Sequence, residues 1–162
     1  MELESSFKNI LGEECWLIIA GKGTGSIVSL GFGKKMLRKK NVKNPNLTEE
    51  ERKYDAEIIL MVYCAWRVSS SNAVICSWRD SNNRNGPMLN GLNLFRSSRV
   101  LRLNLNPINY DLKIHFDNGI VFEIFCDITD IDEGDDNYCW FMGDEVYEIK
   151  FKSKLTKSVR YR

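Results

Sequence analysis

Short runs of apolar residues separated by polar turns follow one another along this chain, and most have the length and composition of β-strands. Residues 15–20 and 26–32 are β-prone and are separated by GKGTG, which predicts a hairpin. Residues 57–68 form the longest apolar run, and its lack of alternation predicts a central strand covered on both faces. We expect about nine strands, and their short connections require a largely antiparallel sheet.

The clearest local signal is the segment YDLKIHFDNGIVFEIFC at residues 110–126, which predicts a second hairpin. A three-residue loop ending at Gly119, with Gly119 in the left-handed region, sets Lys113 opposite Glu123 and keeps the apolar side chains on one face. A two-residue loop would place Ile114 opposite Glu123, so the matching of faces favours the longer loop. The next strand upstream, residues 99–105, is predicted to place its three leucines on one face.

Helical spacing is confined to short segments. Residues 2–11 place Leu3, Phe7 and Ile10 on one face, which predicts a short N-terminal helix. Residues 34–53 begin with six basic residues in ten and continue with Pro, Asn and acidic residues, so we expect a long exposed connection. Within it, Thr48 and Glu51 have the spacing of a capping box and predict one helical turn.

The predicted fold class is therefore α+β and mainly β: a large curved antiparallel sheet, with a partly closed barrel as an alternative, and a short N-terminal helix. Residues 1–151 are expected to form a single globular domain, and residues 152–162 a basic tail that frays. The length of 162 residues suits one domain, and 43% hydrophobic residues exclude a disordered protein. No apolar run approaches the roughly 20 residues of a membrane helix, and no signal-peptide pattern is visible at the N-terminus. These features predict a cytoplasmic protein without a membrane partner.

Residues suited to catalysis or metal binding are sparse. The cysteines are odd in number and form no CxxC pair, so we expect reduced structural thiols at Cys15, Cys64, Cys76, Cys126 and Cys139. His115 is the sole histidine, and the hairpin register gives it no Ser or Cys partner. The glycines in GKGTGS are too close together for a phosphate-binding loop, and a strand follows them. We therefore expect no metal, no cofactor and no catalytic residue.

Charge is balanced overall, at +1, but it is locally clustered. Six acids lie between residues 127 and 136, and their spacing fails the EF-hand pattern. They predict either a solvated connection or an electronegative docking surface for a basic partner. In the second case the partner-binding residues are Asp130, Asp132, Glu133, Asp135 and Asp136, with Trp140 as an anchor. The basic stretch at 34–43 contains no aromatic residue and that at 150–162 contains only Phe151 and Tyr161, so we regard nucleic-acid binding as disfavoured.

Arg67 stands out because it lies near the end of the longest apolar run. A buried guanidinium is costly unless a carboxylate pairs with it, and Asp80 and Asp111 are the candidate partners. We favour a structural ion pair over a recognition site at this position.

The order of short motifs along the chain resembles a group of small bacterial proteins that are similar to immunity proteins of polymorphic toxin systems. The motifs are an early CW, a Gly-rich hairpin, CAWRV, SWRDS, DLKIHFDNG and a late CW, and they span most of residues 10–148. The positions that carry the resemblance are Trp66, Arg67, Asp80, Asp111, Gly119 and Trp140. The basic insertion at 34–43 and the basic tail depart from that group.

The resemblance implies a cytosolic, non-catalytic protein-binding module that occludes the active surface of one protein toxin, a nuclease being one case. The alternative is a small-molecule or nucleotide-binding domain that uses the interior of the sheet. A hydrolytic enzyme ranks third, because no nucleophile–base pair is evident in the sequence.

Overall fold

The structure is a computed structural model that describes residues 2–44, 47–129 and 136–160. The described helices are α1 (Glu2–Phe7), α2 (Glu49–Lys53) and α3 (Pro87–Asn93), with 3-10 turns at Lys8–Ile10 and Phe151–Ser153. The described strands are β1 (Leu17–Ile19), β2 (Val28–Leu37), β3 (Tyr54–Val62), β4 (Ala65–Ser69), β5 (Val74–Ser77), β6 (Val100–Leu105), β7 (Leu112–Phe116), β8 (Val121–Phe125), β9 (Asp136–Met142), β10 (Glu145–Lys150) and β11 (Lys154–Val159). None of the described helices combines the length and the apolar character that a membrane crossing requires.

These strands form two antiparallel sheets, one of six strands in the order β1-β2-β3-β9-β10-β11 and one of five in the order β5-β4-β8-β7-β6. The predicted class, mainly β with antiparallel strands and a short N-terminal helix, is confirmed. Among the described residues the strands divide between two sheets and do not close into a barrel. One continuous apolar core takes side chains from both sheets and from α1, whose Phe7 ring lies 4.5 Å from that of Trp140.

The apolar run at 57–68 is two strands, so the prediction of a single central strand is wrong. β3 belongs to the six-stranded sheet and β4 to the five-stranded sheet. Between them, the backbone N–H groups of Tyr63 and Cys64 both donate to the carbonyl of Asn137, at 2.9 and 3.1 Å. Consecutive N–H groups of a strand point in opposite directions, so two neighbours that share one acceptor require a corner. The chain changes sheet at this corner.

Both basic segments contain strand, against the prediction. β2 continues through Leu37 and pairs with β3, so the exposed connection is shorter than expected. The tail forms β11, which pairs with β10 along its full length, and its Lys157 forms an ion pair with Glu145. Charged residues suit an edge strand because they discourage pairing with other chains. The capping box of Thr48 and Glu51 at the start of α2 is confirmed.

In the five-stranded sheet the hairpin prediction is confirmed, whereas the prediction for the neighbouring strand fails at one residue. Lys113 pairs with Glu123 across β7 and β8, and Gly119 has a φ of +83°. In β6 a register shift between Val100 and Arg102 leaves the Leu101 side chain 69% exposed. A bulge of this kind changes which face the following side chains occupy, and alternation alone cannot reveal it.

Candidate functional site

A row of polar side chains crosses the five-stranded sheet on the face opposite the core. The register aligns one residue from each strand, in the order Ser77, Arg67, Glu123, Lys113 and Asn104. Their neighbours along β4 and β8, among them Trp66 and Phe122, are buried in the core. Side chains alternate between the two faces of a strand, so the apolar packing of one face sets this row on the other.

Glu123 is the centre of the row, and its side chain is almost completely covered although it lies on the outer face. Its carboxylate accepts hydrogen bonds from Arg67 Nε at 2.6 Å and from Ser69 Oγ at 3.0 Å, and it pairs with Lys113 Nζ at 2.9 Å. The Arg67 guanidinium also lies over the Phe125 ring, 4.6 Å from its centre. We call Arg67, Ser69, Lys113 and Glu123 the outer-face network.

The network favours the charged forms of Glu123 and Arg67. The hydrogen bond from Arg67 is the largest of several contacts that lower the pKa of Glu123 to about 2, and burial opposes them only in part. The same bond raises the pKa of Arg67. Glu123 is therefore ionised at neutral pH, and one carboxylate holds two cationic side chains in fixed positions on an open face.

His115 lies on the same outer face, opposite Val121 as its register predicts. Its ring nitrogens contact Arg102 Nη2 at 3.3 and 3.4 Å, and Nε2 lies 3.0 Å from Asn104 Oδ1. Burial and the positive charge of Arg102 lower the pKa of His115, so the ring is neutral at pH 7. Neither neighbour is a nucleophile that a neutral imidazole could activate.

The predicted partners of Arg67 are wrong. Arg67 pairs with Glu123, whereas Asp80 accepts from the backbone N–H of Ser77 at 2.6 Å in the turn after β5. Asp111 accepts from the backbone N–H of Cys126 at 2.8 Å. Asp80 therefore holds its own turn, whereas Asp111 holds the backbone at the end of β8. Glu123 was missed because the sequence gives no sign that β4 lies beside β8.

Trp140, predicted as a surface anchor, is fully buried. Its Nε1 donates to Ser6 Oγ at 2.7 Å and its ring packs against Phe7, so Trp140 belongs to the core. Of the predicted acidic docking residues, Asp136 pairs with Lys150 Nζ at 3.3 Å. The others, Asp130, Asp132, Glu133 and Asp135, lie outside the described residues.

Within the described residues, one group of side chains has the spacing of metal ligands. The ligand atoms of Asp136, Cys139 and Glu148 lie within 4.8 Å of one another. Burial and the neighbouring carboxylate of Asp136 raise the pKa of Cys139 to about 12. Lys150 already supplies a positive charge to Asp136, and this works against a cation here.

The glycine-rich segment that resembled a phosphate loop is a turn between β1 and β2. The Asn82 side chain donates to the carbonyls of Gly21 and Gly25, at 3.1 and 3.0 Å, and holds the turn against the segment before α3. Beside it lies a cavity of about 250 Å³ that Lys22 and Arg84 help to line. Arg96 and Glu51 also line it, and Arg96 donates to the buried carboxylate of Glu51 at 2.7 Å.

Comparison of the chain with protein-family models, with curated proteins and with solved structures finds no match in any of the three.

Proposed function

We propose that this protein is a non-catalytic protein-binding module of the cytoplasm, most concretely an immunity protein that neutralises a bacterial toxin by covering its active surface. The observation that carries the proposal is the outer-face network. Arg and aromatic side chains dominate the energetics of protein interfaces, and they bind best when they are held in place beforehand. Arg67 is held by Glu123 and by the Phe125 ring, yet its side chain is still 41% exposed.

The shape of the face favours a macromolecule over a small ligand. The polar row from Arg67 to Asn104 crosses four strands, which is about 14 Å at the usual strand spacing. Small molecules are normally enclosed by a cleft that removes most of their surface from water. An open row of this length presents separate contacts to a partner of similar extent.

The same dimensions indicate that the partner contacts more than this sheet. Five strands of about five residues cover roughly 19 by 16 Å, or about 300 Å². A stable interface takes about 800 Å² from each partner. The acidic segment at 127–136 begins two residues after β8 ends, so it is the charged region that we assign as the second contact.

The test is binding to the toxin whose gene lies next to that of this protein. We expect the wild-type protein to restore the growth of cells that express the isolated toxin domain, and to bind that domain in vitro. Arg67→Lys keeps a cation beside Glu123 but loses the paired donors and the stacking, so we expect roughly tenfold weaker binding. Arg79→Lys is the matched control, because Arg79 is also stacked on an aromatic ring, 4.6 Å from the centre of Trp78.

A second variant tests the acidic segment. Asp132→Asn combined with Asp135→Asn should slow association and weaken its dependence on salt, because charges at the rim of an interface mainly act on the association rate. An unchanged association rate would remove this segment from the interface. A toxin that is neither bound nor neutralised by the wild-type protein would contradict the whole proposal.

Small-molecule or nucleotide binding is the second candidate, and the cavity beside the glycine-rich turn favours it. The interior between the sheets is filled by side chains such as Trp66 and Phe122, whose rings lie 5.6 Å apart, so a ligand would not use the interior as expected from the sequence. The cavity of about 250 Å³ has Lys22 and Arg84 to receive an anion. A nucleotide that binds here should raise the melting temperature of the protein. Melting temperatures unchanged by a panel of nucleotides would contradict this candidate.

A further inference from the structure

Two cysteines that are far apart in the sequence lie opposite each other in the structure. Ala65, the first residue of β4, pairs with Phe125, the last residue of β8, and the two strands are antiparallel. Cys64 directly precedes β4 and Cys126 directly follows β8, so the two cysteines lie next to this pair at the same end of the two strands. Both point toward the core side and pack at its rim, and both remain partly exposed. The other three cysteines are buried.

The backbone around the two residues has the arrangement that a cross-strand disulfide needs. The N–H of Cys64 donates to the carbonyl of Asn137, and the N–H of Cys126 donates to Asp111 Oδ1. The registered pairs of β4 and β8 end at Ala65 and Phe125. Continuing this register by one residue places the Cα atoms of Cys64 and Cys126 about 4.5–5.5 Å apart, as for facing residues of an antiparallel pair. That separation lies within the range of roughly 4.4–6.8 Å that a disulfide spans.

The two thiols also interact directly. A hydrogen bond with the Cys64 thiol raises the pKa of Cys126, and burial adds to this effect. This contact places the two sulfur atoms within reach of each other.

We propose that Cys64 and Cys126 form a reversible dithiol–disulfide pair, a modification site for low-molecular-weight disulfides such as oxidised glutathione. The proposal is independent of the proposed function.

The exchange is balanced without a further reactant. One of the two cysteines, as its thiolate, attacks one sulfur of the oxidised glutathione, forms a mixed disulfide and releases one glutathione thiolate. The other cysteine, after losing its proton to solvent, attacks the sulfur of the first, forms the intramolecular disulfide and releases the second glutathione thiolate. The two cysteines lose two electrons and two protons, and one glutathione disulfide becomes two thiols.

The bond would tie the corner between the two sheets to the start of the acidic segment. Cys64 lies at the corner where the chain passes from the six-stranded to the five-stranded sheet, and Cys126 immediately precedes the acidic segment. A cross-link between residues this far apart in sequence removes much conformational freedom from the unfolded chain. We therefore expect oxidation to raise the melting temperature by roughly 5–10 °C.

The experiment treats the folded wild-type protein with oxidised glutathione at increasing ratios, blocks free thiols with N-ethylmaleimide and maps the peptides by mass spectrometry. The expected product is a peptide pair linked through Cys64 and Cys126, which dithiothreitol reverses. In Cys64→Ser this linked pair should be absent. In Cys139→Ala, the control with an intact pair, the linked peptide should persist.

Three results would overturn the proposal. One is maleimide on both Cys64 and Cys126 after oxidation of the folded protein, and another is a linkage that involves a different cysteine. The third is a melting temperature that falls when the linked pair forms, since strain would then exclude a native disulfide. Because the peptide map uses the wild-type chain, the test does not depend on whether a variant folds.

Discussion

Two glutamates, Glu123 and Glu51, are almost equally buried, and each is paired with an arginine, but they stabilise different kinds of structure. Glu123 lies within a sheet whose strands are already joined by backbone hydrogen bonds. Its carboxylate accepts hydrogen bonds from Arg67 and Ser69 and forms an ion pair with Lys113. Glu51 lies in α2, and one carboxylate oxygen accepts from the Thr48 backbone N–H while the other accepts from Arg96.

The difference lies in what each pair joins. Arg96 also donates to the carbonyls of Trp16 and Ile18, so the Glu51 pair ties α2 to the segment after α3 and to β1. Backbone hydrogen bonds already link the segment after α3 to the residues just before β1, as from the Ser97 N–H to the Cys15 carbonyl at 2.8 Å, so the side-chain pair mainly adds the link to α2. The Glu123 pair adds side-chain contacts to strands that pair without it. A buried glutamate paired with an arginine therefore holds α2 in place in one region, and it orients the exposed Arg67 in the other.

The comparison predicts the largest loss of stability for Glu51→Ala. This change removes half of the capping box and leaves Arg96 without its acid, so we expect the free energy of unfolding to fall by about 2–4 kcal/mol. The measurement is urea denaturation. Glu50→Ala is the matched control, because its carboxylate is about half exposed in its pair with Lys35, and we expect a loss within about 1 kcal/mol. Equal losses for the two variants would show that α2 is not held through Glu51.

Glu123→Gln should have a smaller effect, about 1–3 kcal/mol, because it removes the charge from hydrogen bonds that charge strengthens. The two cations it releases are partly exposed and can turn to water. Glu148→Gln is the control on the other sheet, where the carboxylate accepts from Thr156 Oγ. A loss above that of Glu51→Ala would reverse the comparison.

The acid dependence of stability gives a separate readout of Glu123. The pKa of Glu123 is about 2 in the folded protein, against a usual value of 4.5. Between pH 2 and pH 4.5 the unfolded chain therefore binds a proton at this residue that the folded protein does not. The contribution of Glu123 is complete above about pH 5 and is lost as pH falls toward 2. We expect the melting temperature of Glu123→Gln to decrease less steeply across this window than that of the wild type. Parallel curves would mean that Glu123 is not held ionised by its partners.

Arg67→Ala should have the smallest effect, about 1 kcal/mol, because Glu123 keeps Lys113 and Ser69 and because much of Arg67 faces water. Calorimetry on the variant measures this directly. Combining Arg67→Ala with Lys113→Ala should cost more than the sum of the single changes, since the buried carboxylate then loses both cations. Additive losses would mean that the two cations do not share Glu123.

The features that the sequence predicts correctly depend on residues close together in the chain. The loop at Gly119 and the capping box of Thr48 follow from local geometry, and both are as expected. Several of the errors involve partners that are distant in sequence. The corner at Tyr63 needs Asn137, the pairing of Arg67 needs Glu123, and the opposition of Cys64 and Cys126 needs β4 to lie beside β8. Local pattern cannot choose among such partners, because many strands here are equally apolar.

The outcome for Trp140 has the same physical basis. A tryptophan in a strand suits both a core and an interface, and here the hydroxyl of Ser6 in α1 satisfies its indole N–H. That contact joins residues at opposite ends of the chain. The acidic segment, by contrast, was recognisable from composition alone, and its part in binding stays a prediction.

The hydrogen bonds of the Asn137 side chain affect which sequence changes this protein can accept during evolution. This side chain accepts from the backbone N–H of Asp127 at 2.7 Å and donates to the carbonyl of the same residue at 3.1 Å. These two bonds hold the ends of the acidic segment together whatever residues lie between them. Closing a loop costs little more when a few residues are added, so insertions and charge reversals between the two ends leave the frame intact. With the proposed function, such changes would alter the specificity of this segment without rebuilding the core.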